Sequence, residues 1–368
     1  MNRRPVRIDQ VLPSIVERDA VSHHTLEAQR VLRSLGFVSE IYALTMGPEM
    51  AGRVHPLAEL PSETDGRQWL CYQGSIGSPA AEAFAAHEGP KLLDYHNITP
   101  PELVESWMPS LADEVRLGRK QLADLASQVL VGIGDSSYNA SELDAWGYRR
   151  TVVSMLMVDH TNFDAPPDPA RRRQLLAARA GGGADWLFVG QMLPHKAQHD
   201  VVMAFAAYRQ AYDPAARLHL VGRGSCPPYA LGVRKLVEAL GITGSVDFAG
   251  SVTAAELSAL YDASDVYVCC SDHEGFCAPL LEAMHHGLPI VAYAAAAVPE
   301  TVGAAGVVVD SKEPAIVAAA AERVLGDTAL RARLVDRGRE RAGEFTLERA
   351  RRQFAATIEH AVEEFAGG

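Results

Sequence analysis

The second half of this chain leaves little choice of architecture. From Asp185 onward, short apolar runs alternate with longer runs of helical periodicity: D-W-L-F-V-G then H-D-V-V-M-A-F-A-A-Y, A-R-L-H-L-V-G then Y-A-L-G-V-R-K-L-V-E-A-L, S-V-D-F-A-G then A-A-E-L-S-A-L-Y-D-A, and D-V-Y-V-C-C. Strands and helices alternating at this spacing predict a parallel sheet covered by helices. Three of these strands end in glycine, at Gly190, Gly222 and Gly250. A glycine at the carboxyl end of a parallel strand lets a ligand approach the backbone, and open α/β sheets bind ligands at those ends.

The first half carries the same rhythm more faintly. T-L-E-A-Q-R-V-L-R-S-L reads as a helix from Thr25 that stops at Gly36. V-S-E-I-Y-A-L, W-L-C-Y-Q-G, K-L-L-D-Y-H, V-L-V-G-I-G and T-V-V-S-M-L-M-V read as strands, the last two as buried ones. Pro109 to Gln128 has the spacing of a surface helix. The chain has 368 residues, too many for one ordinary core, so two domains are expected. Around residues 161 to 184 the tract T-N-F-D-A-P-P-D-P-A-R-R-R and a later G-G-G read as a linker.

Charge excludes some partners. The net charge is −12, and residues 1–150 hold 14 Lys and Arg against 20 Asp and Glu. A nucleic-acid binder needs a basic face, so nucleic acid is not expected. The first residues lack the apolar core of a signal peptide. The longest apolar run, Ile290 to Val298, is far too short to span a membrane, although peripheral membrane contact stays possible. Five scattered cysteines without a C-x-x-C pair suit a reduced, cytoplasmic setting. His195 and His199 are four apart, but no third ligand is evident and the chain has no D-x-D, so no metal is expected.

Two places carry chemistry. In G-Q-M-L-P-H-K, Lys196 stands at the edge of the loop that follows a strand, where an ammonium suits a diphosphate, though a solvated lysine before a helix is the plain alternative. In S-D-H-E-G-F-C-A-P-L-L-E, Pro279 suits the first turn of a helix. The N–H groups of Gly275 to Leu280 then face outward and form an anion site with the helix dipole. Glu274 lies beside that site, which suits a substrate that develops positive charge next to its phosphate, as a sugar leaving a nucleotide does. Glu282 lies two turns into the helix, where it could accept from ribose hydroxyls or sit as a partly buried acid paired with a base.

The stretch G-S-V-T-A-A-E-L through D-V-Y-V-C-C-S-D-H-E-G-F-C-A-P-L-L-E-A-M-H-H-G-L-P-I-V-A-Y, with V-P-E-T-V-G after it, resembles the donor-binding core of the retaining glycosyltransferases of family 4, the glycosyl transferases group 1. F-V-G-Q-M-L-P-H-K resembles that family's segment at the donor diphosphate, and D-Y-H-N-I-T-P-P-E-L and D-S-S-Y-N-A-S-E-L resemble segments of a bacterial branch. The resemblance implies an α/β GT-B fold: two Rossmann-like doubly wound domains facing a cleft, with the last helix crossing back to the first domain. It implies an acceptor domain at 1–165, a nucleotide-sugar domain at 166–345 and the returning helix at 346–368. It makes Glu274 and His96 catalytic. It puts Gly190, Gln191, Lys196, Arg223, Val252, Gly275, Phe276, Cys277, Leu280 and Glu282 on the donor, with Ser22 and His23 on the acceptor side in a loop R-D-A-V-S-H-H.

The family usually has Arg where this chain has Gln191, so one cation is lost, and Arg223 is the candidate to replace it. The implied activity is retaining transfer from a UDP- or GDP-sugar to a hydroxyl of a saccharide, lipid-linked or natural-product acceptor, without cofactor or metal. Two rivals stay open. A nucleotide-sugar epimerase would need no acceptor, and an inert subunit would need a partner transferase. Oligomeric state is not legible.

Overall fold

The computed structural model describes residues 5–16, 19–61, 67–158 and 163–366. It resolves into two compact units: Met1–Pro101 with Ser110–Asp159 and Thr346–Gly368, and Glu102–Pro109 with His160–Phe345.

The first unit is built on seven parallel strands in the order β3-β2-β1-β4-β5-β6-β7. They are β1 Arg7–Ile15, β2 Ile41–Met46, β3 His55–Pro56, β4 Gln68–Gly74, β5 Lys91–Tyr95, β6 Val131–Gly134 and β7 Thr151–Val153. Its helices are α1 Ala20–Ser34, α2 Pro79–Ala86, α3 Pro109–Leu125 and α4 Ser137–Ala145, with α13 Leu347–Ala366. The strand order reverses between β1 and β4, which is the topological switch point of a doubly wound fold.

β1 was not visible in the sequence, because R-I-D-Q-V-L-P-S-I buries Asp9 and Gln10 among its apolar residues. Both are paired: Asp9 accepts from Gln68 Nε2 at 2.7 Å and from the Glu40 N–H at 2.8 Å, and Gln10 Nε2 donates to the Thr25 carbonyl at 2.9 Å. Polar side chains with full partners can occupy a core strand, and pattern alone cannot announce it.

α1 starts at Ala20, five residues before the expected Thr25, so most of R-D-A-V-S-H-H is helix and not loop. Asp19 is the reason. Its carboxylate accepts from both the N–H and the hydroxyl of Ser22, at 2.8 Å each, and caps the first turn. Arg18 of that segment lies outside the described residues. The strand expected over T-V-V-S-M-L-M-V is only three residues, at the sheet edge, with Val153 exposed. Beyond it the backbone leaves the ladder: the Met157 N–H donates to His24 Nδ1 at 3.1 Å instead. α13 belongs to this unit. Phe354 and Ile358 are fully buried on it, and Arg351 pairs with buried Glu27 at 2.5 Å.

The second unit has six parallel strands in the order β10-β9-β8-β11-β12-β13. They are β8 Asp185–Val189, β9 Arg217–Val221, β10 Val246–Gly250, β11 Val266–Cys269, β12 Ile290–Tyr293 and β13 Gly306–Val309. Counted within the unit this is 3-2-1-4-5-6, and its switch point lies between β8 and β11. Helices α5 Pro169–Ala178, α6 Gln198–Ala211, α7 Pro227–Ala239, α8 Ala254–Ala263, α9 Ala278–His285, α10 Val298–Val302, α11 Pro314–Gly326 and α12 Thr328–Ala342 complete it.

Each helix expected here is present. The tract read as a linker is the exception, because it contains α5. Asp168 caps that helix at the Arg171 N–H, 2.6 Å away, and Arg171 pairs with Asp247 at 2.5 Å. Pro169 in the first turn is a helix start, which the count of prolines disguised. Thr161 and Asn162 of that tract lie outside the described residues. Among the described residues no helix is long and apolar enough to cross a membrane.

Candidate functional site

In the second unit the loops after β8 and β11 leave the sheet on either side of its switch point. The first runs from Gly190 through a short turn at Pro194–Lys196 into α6. The second runs from Ser271 into α9, which starts at Cys277 in the left-handed region, φ 65°, with Pro279 in its first turn. The loops are tied together: the Asp272 N–H donates to the His195 carbonyl at 2.8 Å. Lys312 clamps the second loop further, with its ammonium 2.5 Å from Asp272 and 2.6 Å from Asp200. Sequence reading missed Lys312, which lies far along the chain after β13.

Their main product is an ion pair. Lys196 Nζ lies 2.7 Å from Glu274 Oε2, with the carboxylate almost wholly buried. Burial works against the Lys196 ammonium, but the Glu274 carboxylate outweighs it and holds its pKa above that of an ordinary lysine. His195 next to it goes the other way. Burial, then the Lys196 charge, then His273 push it well below the usual imidazole range. Cys269, Glu274 and Cys277 bring two sulfurs and a carboxylate oxygen within 4.8 Å of one another, and the Glu274 carboxylate already carries Lys196. His199, the other member of the expected histidine pair, meets the Tyr229 hydroxyl at 2.9 Å.

The start of α9 needs one correction. The N–H of Leu280 donates to the Cys277 carbonyl at 3.0 Å and Pro279 has none, so neither adds to an anion site. Leu280 itself is a core side chain. Among the described residues, the N–H groups of Gly275, Phe276 and Cys277 have no backbone partner. Their carbonyl side is fixed: Phe276 accepts from the Thr301 hydroxyl at 2.7 Å and Glu274 from the Ala297 N–H at 3.1 Å. Such a run of oriented donors before a helix suits an anion.

Glu282 is paired with a phenol, not a base. Tyr261 donates to it at 2.8 Å. Burial raises the Glu282 pKa, and the Tyr261 bond offsets part of that rise. Gln191 and Arg223 are both exposed, and Ser225 joins them. Its hydroxyl donates to Gln191 Oε1 at 2.6 Å and accepts from Arg223 Nε at 3.2 Å. Gly190 and Gly222 bring the ends of β8 and β9 together: a Cβ on Gly222 would lie 2.0 Å from the Gly190 oxygen. Val252 is placed apart, on a cavity of about 440 Å³ lined by Asp168, Arg171, Asp247 and Glu256.

The first unit holds His96, just past β5. Its Nδ1 lies 3.0 Å from Asp135 Oδ2 and its Nε2 2.6 Å from Gln73 Oε1. Burial opposes its charge, but Asp135 and Asp94 outweigh burial and raise its pKa to about 9. Its ring meets that of His24 edge-on at 4.8 Å, and His24 Nε2 lies 2.8 Å from Asp94. Asp94 is buried, which alone would raise its pKa, but His24 and His96 lower it. Of these neighbours only His96 was singled out in the sequence. Asp94 stood two residues before it, on the same face of the strand. Ser22 is buried and committed to the start of α1, with its oxygen also accepting the Val16 N–H at 3.0 Å. His23 follows it in the first turn, half-buried.

Comparison with known proteins bears on the second unit first. Residues 178–341 match the model of glycosyl transferases group 1. The match places these residues, within the second unit, in that family. It is 35% identical over 204 residues to the D-inositol 3-phosphate glycosyltransferase of Salinispora arenicola, covering 52% of this chain and 45% of that one. It is 33% identical over 259 residues to the protein of the same name from Geodermatophilus obscurus, covering 68% and 56%. A GDP-mannose-dependent alpha-(1-6)-phosphatidylinositol monomannoside mannosyltransferase of Mycobacterium tuberculosis is 34% identical over 171 residues, covering 44% and 43%. The chain spans about half the length of these curated relatives.

Among solved structures, Anabaena HepE in complex with UDP and glucose gives a TM-score of 0.75 at 18% identity, covering 96% of this chain and 100% of that one. Sucrose-phosphate synthase from Thermosynechococcus elongatus gives 0.74 at 18%, covering 98% and 100%. These likenesses show the fold, which is GT-B. Family membership and fold fulfil the expectation drawn from the E-G-F-C-A-P-L-L-E stretch.

Proposed function

We propose that this group 1 family member transfers a glycosyl group from a UDP- or GDP-sugar to an acceptor hydroxyl, with retention at the anomeric carbon. The observation that carries the reading is the Lys196–Glu274 pair set beside the N–H donors of Gly275 to Cys277, at the switch point of the second unit. A nucleotide diphosphate fits there: N–H groups and one ammonium for its negative charge, and a carboxylate beside the sugar that leaves it. In this reading the second unit takes the donor, Glu282 takes the ribose, and the first unit with His96 takes the acceptor. The names of relatives, which include GDP-mannose and inositol 3-phosphate, put GDP- and UDP-sugars and inositol phosphates first in a screen.

Glu274 is held in an ion pair by Lys196, which favours a front-face route over a covalent one. The diphosphate leaves as the acceptor oxygen attacks, and a diphosphate oxygen takes the acceptor proton. Lys196 and the α9 donors stabilise the developing charge, so a metal is not called for. A cytoplasmic setting and contact with a membrane-borne acceptor belong to the same reading. The cysteines support the first, since all five are thiols and buried.

The test is transfer measured in the presence of EDTA, with Glu274→Gln as the decisive variant. Alanine at 274 would strand the Lys196 charge, and an unpaired buried charge costs about 3–5 kcal/mol. Glutamine keeps the volume and a hydrogen bond. The variant loses the counter-charge but keeps Lys196 hydrogen-bonded, so it should stay folded with a lowered melting temperature and transfer at least about a hundredfold more slowly, the scale on which removing one electrostatic group acts. Near-wild-type transfer by the folded variant refutes the assignment. Conversion of the nucleotide-sugar with no acceptor present would favour the epimerase.

A further inference from the structure

We infer that His96 is held as an imidazolium, and that Gln73, Gln10 and Asp135 are the positioning residues that keep both of its nitrogens protonated. The direction of each hydrogen bond in a buried chain fixes the next. The chain begins at a group that cannot be turned round, the Thr25 backbone carbonyl, which only accepts. Gln10 Nε2 lies 2.9 Å from it, so the nitrogen of that amide faces Thr25 and its oxygen faces away. Gln73 Nε2 donates to this oxygen at 2.9 Å, so Gln73 also has one orientation, with its own oxygen toward His96. That oxygen is 2.6 Å from His96 Nε2, and an amide oxygen only accepts, so Nε2 carries a proton. Turning either amide would set oxygen against oxygen, buried and unpaired, at a cost of about 1–3 kcal/mol per group.

The other edge of the ring is decided by acidity. Nδ1 lies 3.0 Å from Asp135 Oδ2. A carboxylic acid is stronger than an imidazolium by about two units or more, so the shared proton stays on the ring. The ring therefore has two N–H bonds and a positive charge.

The groups that face it agree. Asp135 follows β6, Asp94 lies on β5 and Asp19 precedes α1; all three raise its pKa against the burial that opposes it, to about 9. From α1, His24 meets it ring to ring. His24 Nδ1 receives the Met157 N–H, so that nitrogen is bare and His24 carries its proton toward Asp94. From α13, the Phe354 ring backs His24 and brings no charge.

A ring already carrying two protons cannot take one from an acceptor hydroxyl, so His96 is not a general base. It stands as a fixed, buried cation at the carboxyl edge of β5, with both N–H groups given to Asp135 and Gln73, and acts on a neighbouring oxygen through its charge alone. That use of the charge rests on the transfer reading; the protonation does not.

The test needs no substrate. The full chain is labelled with ¹⁵N-histidine, and long-range proton–nitrogen spectra are followed with pH, with His96→Gln to assign the ring. Wild type should show both nitrogens of His96 protonated at neutral pH and a midpoint near 9. Gln73→Met, equal in length but without an acceptor, should lower the proton affinity of His96 about tenfold, and Gln73→Glu should raise it. If Gln73→Met does not fold, Asp135→Asn is expected to lower it in the same way. A single-proton tautomer of wild-type His96 at neutral pH overturns the inference. So does a midpoint that none of the folded variants moves. Failure of transfer with intact His96 spectra would count against the functional reading alone.

Discussion

At the scale of single residues, the second unit spends stability on its acids. Glu282 is half-buried against Tyr261 with no cation paired to it among the described residues, and burial raises its pKa. A raised carboxyl binds its proton more tightly folded than unfolded. The charged form therefore detracts from stability, and the loss accumulates as pH rises through the unfolded and then the folded pKa. Glu282→Gln should raise the melting temperature at neutral pH while weakening nucleotide affinity; calorimetry and a binding titration on one preparation check both signs. Arg223 makes a second case. It is exposed and reaches Gln191 only through Ser225, so its removal should leave melting unchanged. If it replaces the cation that Gln191 lacks, Arg223→Ala weakens donor binding about tenfold, read by titration with UDP- and GDP-sugars. Unchanged affinity removes Arg223 from the site. Lys196 and Glu274 stood out because charged groups in the loops after strands are conspicuous, and His96 stood out through the family resemblance. Gln73, Gln10 and Ser225 did not, because an amide or hydroxyl shows its importance only through what it faces.

At the scale of elements, legibility followed how cleanly each element separates apolar from polar. α8 runs over A-A-E-L-S-A-L-Y-D-A as read, closed by a capping box between Thr253 and Glu256. β1 hid its place at the centre of a sheet behind Asp9 and Gln10, and α5 hid behind the prolines around its cap. The glycines at strand ends were expected to admit a ligand, but the close partner at Gly222 is the protein's own backbone, and a Cβ at Gly250 would meet nothing within 4 Å. With φ 140° and the Gly190 oxygen 2.0 Å from where a Cβ would stand, Gly222 admits no side chain without moving β8 or β9. Overpacking of this kind costs about 1–3 kcal/mol. The loop that carries Lys196 leaves from that junction. Gly222→Ala should therefore lower both the melting temperature and nucleotide affinity. A variant that melts lower but binds as wild type would separate the junction from the site.

At the scale of the whole molecule, the chain returns to its first unit after completing the second. α13 closes the first unit's core: Phe354 and Ile358 are fully buried on it, and Arg351 meets the buried Glu27 of α1. Removing a phenylalanine from such a position costs about 3–5 kcal/mol, and loss of the helix removes several such contacts and leaves Glu27 with Arg30 but without Arg351. The second unit has its own six-stranded sheet and its own loops around Lys196 and Glu274. A chain ending at Phe345 should thus melt in separated steps, with the first unit's transition lowered or absent. Nucleotide should still raise the remaining transition, since a ligand stabilises only the state that binds it. Scanning calorimetry with and without UDP and GDP distinguishes the outcomes. A single transition that neither nucleotide shifts would mean that the second unit does not hold its donor site alone, and that the returning helix supports both units.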